Sequence, residues 1–273
     1  MNETKFAIYI ISHNRPECET YYKLRNMGFT GNIEIIIDDT DNYIKEYEQR
    51  FDNQIRIFNK DDVDIDLMDN FDGPKGIATY SREYCMELAK KEGLDYILML
   101  DDDLKDIKYR INKSDSYKIT NLDYVFEKCL QFMTNGIDIL TFGTSNDYIG
   151  GKSEEFKIGR GTNAYLINVN SNIHFKGRYS EDRIMPILYS KIGKVIFKIL
   201  RIQFVFDVWQ PNKKARKGGC NEIYDKKNNY AMMFYPVISS PDSTFSKYNN
   251  KQYVASTNYR NVCPKIISGR YKK

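Results

Sequence analysis

Short apolar runs alternate along this chain with segments whose apolar positions recur every three or four residues. Lys5–Ser12 (KFAIYIIS) reads as a buried strand, broken by His13-Asn14-Arg15-Pro16. Glu17–Met27 follows with a helical period ended by Gly28. Ile33–Ile37 (IEIII) is a second strand ending in Asp38-Asp39, Tyr43–Phe51 a second helix, and Ile55–Asn59 a short third strand. Strands separated by helical patterns predict βαβ units and a parallel sheet.

Asp61–Gly73 is strongly acidic and reads as a loop, and Gly76–Glu92 as a helix ended by Gly93. Tyr96–Leu100 is a continuous apolar run, hence a buried strand. Leu122–Met133 is helical and Ile137–Phe142 a further strand. Beyond Gly143 the pattern loosens, punctuated by Gly150, Gly151, Gly159 and Gly161. Asn163–Val169 and Ile202–Val208 read as strands, and Ile184–Lys191 as a helix. Lys213–Gly219 reads as a basic loop, and Tyr230–Ile238 as a strand that Pro236 confines to an edge or an end. The tail from Lys247 is polar and weakly patterned, and no internal repeat is visible. The expected fold class is α/β, a Rossmann-like, mostly parallel sheet with flanking helices. We expect a single domain over 1–273, with a nucleotide-type half at 1–142 and an acceptor-side half at 143–273.

Composition narrows the function classes. The chain has 273 residues and a formal net charge of +4, which permits an anionic partner without demanding one. Five widely spaced cysteines with no CxxC pair fit a reducing compartment, not a disulfide scaffold. Only two histidines, His13 and His174, are present; they disfavour a zinc site and read better as hydrogen-bonded structural residues than as ligands. No stretch reaches the roughly 20 apolar residues of a membrane span. The apolar-rich segment Ile192–Trp209 is broken by Lys194, Lys198, Arg201 and Gln203. With no leader-like segment at the first residues, the expectation is a soluble, cytoplasmic protein.

The most informative stretch is Asp101-Asp102-Asp103, which follows the Tyr96–Leu100 strand. Ligands of open α/β sheets bind outside the carboxyl ends of strands. Three adjacent acids repel one another unless they are solvated or neutralised by a cation. Hard cations such as Mg²⁺ or Mn²⁺ take carboxylate oxygens and bridge to substrate phosphates. A metal–diphosphate site and a plain acidic loop both fit the triplet alone. Ser12 to Arg15 after the first strand and Asp38-Asp39 after the second reach the same sheet edge. An acid after the second strand can accept from a base or ribose. Neither GxGxxG nor GxxxxGK[ST] occurs.

Arg82, on the helix before the acidic strand, can reach a diphosphate or pair with Glu83 or Glu87 on its own helix. Glu181-Asp182 suits a general base, and equally a helix N-terminus capped by Ser180. Lys213-Lys214-Ala215-Arg216-Lys217 is a solvated basic loop or a track for phosphates.

Four of these stretches occur together in the order found in GT-A glycosyltransferases. Tyr9–Pro16 resembles their first strand, and Gly76–Arg82 the helix with their donor-contacting arginine, although Glu83 stands where asparagine is usual. Leu100–Asp103 resembles their DxD motif, and Tyr179–Asp182 the acceptor-side ED motif of inverting members. A narrower resemblance is to the TET-associated glycosyltransferases, found largely in bacteriophages and implicated in decorating hydroxymethylated pyrimidines in DNA. It is carried by Ile11–Pro16, Ile36–Asp39, the DDD triplet, Asn146–Gly151, Gly218–Tyr224 and Phe234–Pro241.

The resemblance implies a GT-A fold, a nucleotide-sugar donor such as a UDP-sugar, and Mn²⁺ or Mg²⁺. Ser12, Arg15, Asp39, Arg82, Asp101 and Asp102 would then contact the donor, Asp103 and Asp101 the metal. Asp182, with Glu181 beside it, would activate the acceptor hydroxyl. No late histidine supplies an extra metal ligand. For a DNA acceptor, Lys213, Lys214, Arg216 and Lys217 are the candidate contacts, with Lys265, Arg270, Lys272 and Lys273 near the end. A phage-encoded enzyme would act in the cytoplasm of the infected host. Two rivals stay open: a GT-A transferase acting on a polysaccharide or other glycan, and an inactive nucleotide- or DNA-binding module.

Overall fold

The computed structural model describes residues 4–65, 78–112, 114–148, 155–177, 180–207, 236–249 and 252–262. The first half alternates as the apolar pattern requires: β1 (Phe6–Ile11), α1 (Glu19–Asn26), β2 (Asn32–Asp38), α2 (Ile44–Phe51), β3 (Ile55–Phe58), α3 (Ala78–Lys91) and β4 (Tyr96–Asp101). Then follow β5 (Leu104–Arg110), β6 (Ser116–Lys118), α4 (Leu122–Met133), β7 (Ile139–Gly143), β8 (Phe156–Ile158), β9 (Ala164–Asn168), α5 (Glu181–Lys191) and β10 (Ile196–Phe206). The ten strands form one sheet in the order β3-β2-β1-β4-β9-β7-β10-β5-β6, with β8 also on β10. β1, β2, β3 and β4 pair in parallel, as do β7 and β10. β9 runs antiparallel between β4 and β7.

The sheet is packed on both faces. Ile8, Ile10, Leu98 and Leu100 point toward α1, α2 and α4, where Leu24, Tyr47 and Phe126 meet them. Ala7, Tyr9, Ile97 and Met99 point to the opposite face, against Tyr80, Met86 and Ala89 of α3 and Tyr189 of α5. Burial on both faces is why these strands read as unbroken apolar runs rather than alternating ones. Cys18, Cys85 and Cys129 are buried free thiols. Among the described residues no helix is long and apolar enough to cross a membrane.

Several expected elements differ. α5 begins at Glu181, three residues before the apolar pattern starts, because its first turn is acidic and polar. β10 begins at Ile196, six residues early. Lys198, a charge inside this apolar segment, is buried and paired with Asp147 at 2.6 Å. Pro236–Ser239 forms a helical turn, not a strand end, while 230–235 lie outside the described residues. The weakly patterned tail contains an antiparallel hairpin, β11 (Thr244–Asn249) with β12 (Gln252–Thr257). β5, β6 and β8 were not anticipated.

Candidate active site

The pleat of the central strand separates the acidic triplet. Along β4 even-numbered side chains face α1 and α2 and odd-numbered ones face α3, and the first two carboxylates continue that parity. Asp101 turns to α3, where Arg82 Nη2 lies 3.0 Å from its Oδ1 and Asn163 Nδ2 donates to its Oδ2 at 2.5 Å. Asp102 turns the other way and is buried. Ser12 Oγ donates to its Oδ2 at 2.6 Å and Arg15 Nη1 to its Oδ1 at 2.8 Å, so both oxygens are engaged by the protein. Tyr47 Oη contacts Ser12 Oγ at 2.6 Å and accepts from the Arg15 amide at 3.0 Å, which fixes the loop after β1. Thr20 of α1 closes the turn: its Oγ1 donates to the Asp101 carbonyl at 2.7 Å and accepts from the Leu104 amide at 2.9 Å.

Asp103 is different. Its Oδ1 is buried with no hydrogen-bond partner, and Arg15 Nη1 is 3.9 Å from its Oδ2. Burial, with the Asp101 and Asp102 charges beside it, pushes this carboxyl up to about 7.

Glu181 joins this edge through Arg82. Only 3% of the Arg82 side chain is exposed, and its Nη1 lies 3.1 Å from Glu181 Oε1, an ionic contact without hydrogen-bond alignment. The guanidinium lies 4.9 Å from the Tyr165 ring centroid and 6.0 Å from that of Phe175. Its partners are therefore Asp101 and Glu181, not Glu83 or Glu87 on its own helix. Burial pushes the Glu181 carboxyl up, opposed by Arg82. Asp182 is more accessible, at 24% against 13% for Glu181, and pairs with Arg160 at 2.8 Å. Ser180 occupies the N-cap position of α5 at φ 59° but makes no side-chain cap bond, so the cap expected of it is not formed.

Asp38 and Asp39 have separate fates. Asp38 is buried, held by His13 Nδ1 at 2.7 Å and Lys60 Nζ at 2.8 Å, and these bonds lower its pKa against the burial penalty. Asp39 is exposed at the β2 end, outside the triplet's bonding network. His174 bonds Glu83 at 2.6 Å, and Glu83 also accepts from the Phe175 amide at 2.7 Å. The residue that departs from the usual asparagine thus anchors the chain leading toward α5. A cavity of about 320 Å³ is walled by residues 14–19, Tyr43 and Asp102. It lies beside Arg15, and neither Asp39 nor Asp103 lines it. Lys213, Lys214, Arg216 and Lys217 lie outside the described residues.

Ser12, Arg15, Asp102 and Asp103 thus form one cluster and Arg82, Asp101 and Glu181 another on the opposite face, joined through the backbone at the end of β4, with Asp182 next to Glu181. Sequence reasoning did not single out Asn163 or Arg160. The one hint was Gly159-Arg160-Gly161, an arginine between two glycines. Among the described residues no group of three or more His, Cys, Asp or Glu side chains is arranged to hold an ion. The chemistry nevertheless fits a divalent cation: Asp103 offers an unsatisfied oxygen in an electronegative setting. Mg²⁺-type sites commonly use one or two carboxylates completed by water and substrate phosphates.

The mostly parallel sheet with flanking helices is the α/β arrangement of GT-A-type glycosyltransferases. Glucosyl-3-phosphoglycerate synthase from Mycobacterium tuberculosis, solved with Mg²⁺ and uridine diphosphate, matches with a TM-score of 0.50 at 9% identity, covering 93% of this chain and 87% of that one. The same synthase solved with Mn²⁺, uridine diphosphate and glucosyl-3-phosphoglycerate gives 0.49 at 8% identity, again over 93% and 87%. No curated protein matches the chain in sequence. The TET-Associated Glycosyltransferase family matches residues 6–201, well over half of the chain, and the chain belongs to that family.

Proposed function

We propose that this glycosyltransferase moves a sugar from a nucleotide-sugar donor, such as a UDP-sugar, to the hydroxyl of a 5-hydroxymethylpyrimidine in DNA, with inversion at the anomeric carbon. The observation that carries the reading is the Asp101–Arg82–Glu181 tie, which links the end of β4 to the start of α5. A donor-side carboxylate and the acceptor-side pair are thereby held in one frame. Family membership and the late Gly218–Tyr224 and Phe234–Pro241 stretches support the DNA acceptor.

In this mechanism Asp103, with Asp101 beside it, would hold a divalent cation. When bound, that cation acts as a Lewis acid that offsets charge on the departing diphosphate. Asp39 and the Ser12–Arg15 loop contact the nucleoside. Asp182 takes the proton from the acceptor hydroxyl as its oxygen bonds the anomeric carbon from the side opposite the leaving group. Asp182 suits this better than Glu181, because a base must reach substrate and Glu181 is committed to Arg82. Arg82, buried between two carboxylates, acts on the donor through Asp101 rather than by touching a phosphate. The chain spans one domain, with 1–142 on the donor side and 143–273 on the acceptor side.

The test is intact-mass analysis of a short duplex containing hydroxymethylcytosine, incubated with the protein, Mn²⁺ and a panel of nucleotide-sugars. A gain of one sugar mass that disappears in EDTA supports the reading. Donor hydrolysis with no mass gain on hydroxymethylcytosine or hydroxymethyluracil moves the acceptor to a glycan. Neither transfer nor hydrolysis with any donor leaves the inactive binding module.

A further inference from the structure

We propose that Arg160 is the positioning residue of the transfer reaction, clamping the Asp182 carboxylate from a loop remote in sequence so that one oxygen stays available to the acceptor. This inference rests on the reading of Asp182 as the base. Arg160 Nη1 donates to Asp182 Oδ2 at 2.8 Å across twenty-two residues of chain. Asp182 Oδ1 carries no hydrogen bond among the described residues, so the clamp engages one oxygen and leaves the other. A carboxylate held by one oxygen has its free lone pairs aimed in a defined direction, which is what proton abstraction in a near-attack geometry requires.

The loop is built to deliver this contact. At Gly161 a Cβ would sit 2.5 Å from Thr141 Cγ2 and 2.8 Å from Tyr165 Cε1, both on fully buried residues of the sheet. The backbone beside Arg160 therefore lies directly on β7 and β9, and only glycine permits that approach.

The surrounding charges are committed elsewhere. Arg82 holds Asp101 and Glu181, Arg183 Nη1 is bound to the Ala255 carbonyl, and Lys198 is paired with Asp147. Tyr165 and Tyr259 flank Arg160 with burial-raised, neutral hydroxyls. Among the described residues Arg160 is the cation that pairs with Asp182. Its own pKa is raised, the Asp182 charge being the largest cause. The two adjacent acids thus have separate arginines: Arg82 ties Glu181 into the interior, and Arg160 aims Asp182.

The test compares Asp182→Asn, Arg160→Gln, Arg160→Lys and the Asp182→Asn/Arg160→Gln double variant. The readout is sugar transfer or, where no acceptor is glycosylated, donor hydrolysis by water. Asp182→Asn is expected to lower kcat by about 10²-fold or more. Arg160→Gln is expected to lower kcat by about ten- to a hundredfold with both KM values within about twofold. Arg160→Lys, which keeps a cation in reach, recovers most of that loss. In the Asp182→Asn background Arg160→Gln adds less than about twofold, because a positioning residue acts only through the group it positions.

Full turnover in both Arg160 variants overturns the proposal. So does a raised acceptor KM at unchanged kcat, which would make Arg160 an acceptor contact. Losses that multiply in the double variant overturn it as well. Turnover retained in Asp182→Asn refutes the base reading itself, and the clamp falls with it. If Arg160→Gln fails to fold, Arg160→Lys decides: kcat as low as in Asp182→Asn refutes the charge-based clamp.

Discussion

Replacing Arg82 by alanine should cost stability first and donor chemistry second. The guanidinium has two carboxylate partners, Asp101 at 3.0 Å and Glu181 at 3.1 Å, and Tyr165 and Phe175 lie against it. Removal affects the two acids unequally. Asp101 is 29% exposed and keeps the Asn163 bond, so water and the amide still serve it. Glu181 is 13% exposed and would be left as a charge in the interior. Breaking a buried pair by deleting one partner costs about 3–5 kcal/mol, mostly from the stranded charge. The lost ring contacts add about 0.5–2 kcal/mol.

We therefore expect Arg82→Ala to lower the unfolding free energy by at least about 3 kcal/mol in urea titrations at pH 8 with EDTA present. Adding Glu181→Gln should return a large part of it, since the stranded charge is then gone. The reasoning is refuted if Arg82→Ala changes stability by less than about 1 kcal/mol while the donor KM rises more than tenfold. That outcome would make Arg82 a solvent-facing donor contact.

Asp103→Asn should stabilise the metal-free protein at pH 8. A carboxyl held near 7 rather than 3.8 costs the ionised folded state on the order of 4 kcal/mol. Because the folded state binds this proton more tightly than the unfolded state, wild-type stability falls as pH rises from 3.8 through about 7. Melting temperatures in EDTA should thus show Asp103→Asn gaining at pH 8 and level at pH 4, with turnover lost and no upward shift on adding Mn²⁺. Gly161→Ala should lose about 1–3 kcal/mol in urea unfolding through the Thr141 and Tyr165 overlaps; Thr141→Ser in the same background, which removes the nearer methyl, should recover part of it. Glu83→Gln should weaken the charge-assisted bond to the Phe175 amide, and hydrogen exchange at that amide should accelerate about tenfold, equal to about 1.4 kcal/mol.

The parts of this fold that were legible in the sequence are those buried on both faces. Lys5–Ser12 and Tyr96–Leu100 carry so little polar character that they read as buried strands, and both are. Partly exposed and edge strands were invisible for the converse reason. In β5 only Leu104 and Ile107 are buried, and charged residues between them hide the alternation. β10 looked interrupted at Lys198 because a sequence does not disclose that Asp147, fifty-one residues earlier, neutralises it inside the protein.

The candidate site was legible as a set of residues and not as an arrangement. Asp101, Asp102 and Asp103 look like one acidic unit, yet the pleat sends the first to Arg82 and the second to Arg15, leaving the third with an unsatisfied oxygen. A run of like charges survives at a strand end because backbone alternation hands its members to different cations. The member without a close partner is then the one whose chemistry calls for an added ion. The same logic separates Glu181 from Asp182. Neighbours on the first turn of α5 meet different arginines, one from α3 and one from the loop before β9. In the proposed mechanism those two arginines separate the roles: Arg82 fixes Glu181 in the frame, and Arg160 aims Asp182 at the acceptor.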